Sequence, residues 1–97
     1  MDIIQKTMDW AYKKGIKDIR KQVGKIITKK RLVFLSDNQL LYINKQGKRS
    51  EYNFGQAASK FIVEGGWADQ MAKLGITIND IENILVEEYA KQKEGVQ

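Results

Sequence analysis

Between Arg31 and Asn44 the chain reads RLVFLSDNQLLYIN, two β-rich runs held apart by the pair Asp37-Asn38. No other stretch limits the fold as tightly. Both turn residues tolerate positive φ, so a two-residue connection there predicts a tight antiparallel hairpin. A regular hairpin of this kind sets Leu35 opposite Leu40 and Val33 opposite Tyr42. A second turn at Lys45-Gln46-Gly47-Lys48 leads into the more polar run RSEYN and completes a three-stranded antiparallel meander.

The periodicity on either side of the meander is helical. Ile4, Met8 and Ala11, then Tyr12, Ile16, Ile19, Val23 and Ile26 or Ile27, recur at spacings of three and four, which predicts an amphipathic N-terminal helix to about residue 28. Asp2 with Gln5 is a capping pair at its start, and Gly15 is a place where it could break in two. After the meander, Asn53 with Gln56 forms a second capping pair, and Gly65-Gly66 ends the helix it opens. A short helix then runs to Leu74 and Gly75, and Thr77 caps a last one with Ile78, Ile81, Leu85 and Tyr89 on one face. The order predicts a single α+β domain over residues 1–97: an N-terminal helix, a β-meander and two to three C-terminal helices. Residues 92–97 carry no apolar pattern and are expected to fray.

Composition narrows the chemistry. The 97 residues contain no cysteine and no histidine, which removes disulfides, thiol nucleophiles, thiolate metal sites and imidazole bases. The acids are scattered, and no phosphate-binding glycine signature is present. No catalytic residue, metal ligand or cofactor is therefore expected, and the chain reads as a non-enzymatic binding protein. The longest apolar runs span four residues, far below the roughly 20 of a membrane-crossing helix. With no signal-like start either, the expectation is a cytoplasmic protein without a membrane partner.

Charge carries the functional reading. The net charge is +5, but residues 1–53 hold thirteen basic and five acidic side chains, while residues 54–97 hold four and seven. From Lys13 to Arg31 there are nine positive charges against Asp18 alone. At about 100° per residue, Lys14, Lys17, Lys21, Lys25 and Lys29 fall within roughly 120° of one another, opposite Ile16, Ile19, Val23 and Ile27. Lys45, Lys48 and Arg49 add a second basic group at the hairpin turn. Such a stripe is either a solvated helix face or a phosphate-tracking surface. Lysine outnumbers arginine fourteen to three, and arginine is the usual base reader, so binding to nucleic acid is expected to tolerate any sequence. The alternative is an adaptor or inhibitor, of a bacterial or phage accessory type, docking an acidic protein surface.

Three apolar features stand apart from this. Leu32, Val33, Phe34 and Leu35 make the first strand apolar on both faces, and a meander leaves that strand at an edge. The edge is either covered by the N-terminal helix or pairs with its copy in a homodimer. The middle strand, apolar on both faces too, calls for helices above and below the sheet. Trp67 is expected to pack in the core, whereas Trp10 lies off the apolar stripe with Ile3 near it, and the two either form a small exposed patch for a partner or contact the strand layer.

Overall fold

The computed structural model describes residues 3–95, with side chains from residue 8 onward. The elements are α1 (Ile3–Thr28), β1 (Leu32–Ser36), β2 (Gln39–Ile43), β3 (Arg49–Asn53), α2 (Phe54–Gly65), α3 (Ala68–Leu74) and α4 (Ile78–Gly95). This is the α+β order expected: one helix, a meander of strand order β1-β2-β3, then three helices. The capping pair of Asp2 and Gln5 lies outside the described residues.

α1 is continuous for 26 residues and does not break at Gly15. The glycine is there for packing. A β-carbon on it would stand 2.6 Å from Leu74 Cδ1 and 2.8 Å from Ile76 Cδ1, so its bare backbone lets the α3–α4 connection rest against α1. Asn53 and Gln56 form the expected reciprocal cap of α2, at 2.8 and 3.0 Å. At α4 the same exchange uses an aspartate: Thr77 N–H donates to Asp80 Oδ2 at 2.8 Å, and Asp80 N–H to Thr77 Oγ1 at 3.3 Å. α4 continues to Gly95, four residues into the segment expected to fray. Lys91, Gln92, Lys93 and Glu94 are good helix formers, and propensity carries the exposed turn without an apolar anchor.

The hairpin departs from the regular register. Leu32 faces Tyr42, Val33 faces Leu41, Phe34 faces Leu40 and Ser36 faces Gln39, with a bulge at Leu35. Neither Asp37 nor Asn38 takes positive φ. A turn without the primed geometry does not match the strand twist, and an extra residue in the ladder takes up the difference. The one-residue shift turns Leu32 and Phe34 inward, and leaves Val33 and Leu35 outside at 44% and 49% exposure.

The helices accordingly line one face of the sheet. Leu32, Leu40 and Tyr42 join Ile19 and Val23 of α1, Phe54, Ala57 and Phe61 of α2, Met71, Ile76 and the α4 residues Ile81, Ile84 and Leu85 in one buried cluster. The cover expected on both faces of β2 is found on one. Leu41 and Ile43 remain half-buried on the outer face beside Val33 and Leu35. Ile78, placed by periodicity on the buried face of α4, is instead 41% exposed in its first turn.

Candidate anion-binding cleft

α1, α2 and α3 end in the same way, and all three ends meet. After α1, Lys30 takes φ +60° and Arg31 N–H donates to Ile26 O at 3.1 Å. After α2, Gly66 takes φ +66° and Trp67 N–H donates to Ile62 O at 3.1 Å. After α3, Gly75 takes φ +72° and Ile76 N–H donates to Met71 O at 2.9 Å. Each is a left-handed turn closed by a bond from the residue that follows it. Those following residues, Arg31, Trp67 and Ile76, all line one open cleft of about 660 Å³.

One wall of the cleft is α1 from Gly15 to Lys29. Ile19 and Val23 turn to the core, so the residues between them and solvent, Lys21, Lys25 and Lys29, stand along this wall one helical turn apart. Trp67, Met71 and Leu74 form the wall opposite, and Lys45 reaches in from the β2–β3 turn. That turn is fixed by Asn44 Oδ1, which accepts from the backbone N–H groups of Gln46 and Lys48 at 2.9 Å each. Five cations (Lys21, Lys25, Lys29, Arg31 and Lys45) thus surround the cleft against two carboxylates, Asp18 and Glu64.

Arg31, Tyr42 and Glu64 form a hydrogen-bonded chain in the cleft. Arg31 Nε donates to Ile43 O at 2.9 Å and Nη2 to the Tyr42 hydroxyl at 3.2 Å. The Tyr42 hydroxyl donates in turn to Glu64 Oε2. Burial, then the bond to Glu64, push the Tyr42 phenol up to about 12. It stays a neutral donor, and its ring is packed edge-on to Phe61 with centroids 5.0 Å apart. A smaller hollow of about 90 Å³, lined by Lys48 and Lys60, lies on the other side of the Tyr42–Glu64 pair.

Of the basic residues expected to act together, Lys21, Lys25, Lys29 and Lys45 share the cleft. Lys14 does not: its ammonium sits 5.3 Å from the centroid of the exposed Trp10 ring. Lys17 is exposed outside the cleft, Lys48 belongs to the smaller hollow, and Arg49 pairs with Ile43 on the outer sheet face. Trp67 is half-buried against Phe61, as part of the cleft wall and not wholly within the core. Tyr42 and Glu64 were not singled out by sequence, because a strand tyrosine and a helix glutamate carry no spacing that marks them. The position of Trp67 did have a signal: the glycine pair before it sets the turn that aims it.

Among the described residues no cluster of three acids could hold a metal ion, and no helix is long and apolar enough to cross a membrane. Comparison with protein-family models, with curated proteins and with solved structures found no match.

Proposed function

We propose that this chain is a non-enzymatic nucleic-acid-binding protein that holds phosphates through the cations of the α1 cleft, without regard to sequence. The observation that carries this reading is the convergence of Lys21, Lys25 and Lys29 with Arg31 and Lys45, from three separate elements, around one concavity. The four lysines are open to solvent along the margin of that concavity, where a polyanion can reach them together. Flexible lysine ammoniums suit a backbone of repeating charge, and each phosphate neutralised releases counterions.

A salt titration tests it. With about four phosphates neutralised, log affinity falls against log salt with a slope near −3 to −4. Changing Lys21, Lys25 and Lys29 together to glutamine flattens that slope, and changing Lys73 and Lys93, which lie outside the cleft, does not. Absence of binding to any nucleic acid at low salt would replace this reading with an acidic protein surface as the partner of the same cations.

A second reading, self-association through β1, has its own support. Ile43 N–H donates to Arg31 O at 2.8 Å, so by antiparallel alternation the main-chain groups of Leu32 and Phe34 point away from β2. Among the described residues no strand pairs with that edge. A second copy, antiparallel across a twofold axis, presents the same groups in return and extends the sheet to six strands.

A further inference from the structure

We infer that the cleft selects unpaired strands: the strand backbone follows Lys21, Lys25 and Lys29 while one base lies against the Trp67 indole. This rests on the nucleic-acid reading above and adds the class of nucleic acid. The lysine row climbs about 6 Å per member along α1. That pitch is comparable to the repeat of an extended sugar–phosphate chain. A duplex is a convex rod with its bases stacked inside, so it can touch the rim of the cleft but places nothing within it. An unpaired strand can turn a base out of line and into a concavity.

Trp67 is the ring placed to receive that base. Phe61 and Tyr42 also line the cleft, but at 2% and 4% exposure neither has a free face. Trp67 is only partly buried and keeps some of its surface open to solvent. Its indole is held from two sides: Phe61 lies 6.5 Å away between centroids, and the bare backbone of Gly65 lies against it where a β-carbon would collide with Nε1. A ring fixed in this way loses little conformational freedom on binding. The cations stand on the α1 wall and the indole on the wall opposite, which is the arrangement of charge beside a stacking platform that sequence-tolerant single-strand binders use. Glu64, one of the two carboxylates that line the cleft, is already engaged by the Tyr42 hydroxyl.

The chain has two tryptophans, so W10F leaves Trp67 as the sole indole emitter. Titrating W10F at low salt with a single-stranded oligothymidylate and with a hairpin duplex of equal charge, by anisotropy and indole emission together, tests the inference. The single strand is expected to bind about tenfold tighter and to quench Trp67, and W67L to lose about tenfold on the single strand with little change on the duplex. Duplex binding of equal strength, or strand binding that leaves Trp67 emission unchanged, overturns the selection of unpaired strands while the phosphate reading stands. Quenching by thymidine monophosphate as tight as by the oligomer also overturns it, making the cleft a small-ligand pocket. Binding of neither polymer overturns both readings. The W10F emission readout needs no change at Trp67, so the result does not depend on W67L folding.

Discussion

Gly15 and Leu74 meet so closely that a β-carbon at position 15 would stand 2.6 Å from Leu74 Cδ1. Gly24, nine residues along the same helix, has nothing within 4 Å of the equivalent point. The two glycines therefore respond to alanine in opposite ways. G24A stabilises by up to about 1 kcal/mol through helix propensity. At Gly15 the same gain is outweighed by displacing Leu74 and the buried Ile76, for a net loss of about 1 kcal/mol. Urea unfolding of the pair checks this, and G15A more stable than G24A would refute the close approach of α3 to α1.

Lys30 is, among the described residues, the one non-glycine residue at positive φ. An L side chain there costs about 1–2 kcal/mol relative to ordinary helical backbone, and glycine relieves most of it. K30G is expected to raise stability by about 1 kcal/mol. Its side chain does not line the cleft, so the salt slope for nucleic acid should change far less than in the Lys21, Lys25 and Lys29 variant. A thermal melt and one salt titration decide both halves.

Tyr42 gives a pH signature. Its phenol, ordinarily near 10.0, is pushed up to about 12 by burial and by the bond to Glu64. The folded protein holds this proton more tightly than the unfolded chain. The resulting stability is whole below pH 10 and is lost as pH rises towards 12. Tyrosinate absorbance should show a late-titrating component that Y42F removes. Tyr12, which donates to Asp80 at 2.9 Å, is raised as well and remains in that variant. A Tyr42 phenol titrating at the ordinary value would mean that its burial and its bond to Glu64 are not kept in solution.

Val33 tests the β1 edge. At 44% exposure it tolerates lysine without cost to the core. In an antiparallel β1–β1 pair it lies near the twofold axis, where two lysines repel. Wild type is expected to associate at high micromolar concentration in light scattering, and V33K to stay monomeric with an unchanged circular dichroism spectrum. A monomeric wild type ends the self-association reading.

Periodicity and capping residues made the element order legible, because Asn53, Gln56, Gly66 and Thr77 act on their own neighbours in the chain. The lysine row of α1 was legible for the same reason: helical pitch alone places Lys21, Lys25 and Lys29 together. What sequence did not give depends on distant partners. The role of Gly15 is decided by Leu74, about sixty residues away, and propensity could only weigh it as a break. The inward facing of Leu32 and Phe34 depends on a bulge that no residue type at Leu35 announces. The cleft itself exists because three left-handed turns, far apart in sequence, aim their next residues at one another.

Leu35 has a consequence of its own. The partners on β2 run Tyr42, Leu41, Leu40, Gln39 without a gap, while those on β1 run Leu32, Val33, Phe34, Ser36. Excise Leu35 and the two series align one to one, with every inward side chain still inward. Removal of a residue from a strand ordinarily inverts what lies beyond it. Here it would regularise the hairpin. The ladder thus carries a supernumerary residue, a leucine left 49% open to water. The inward pattern of β1 is therefore set by a residue whose own side chain points out, and the bulge serves the turn and not the core.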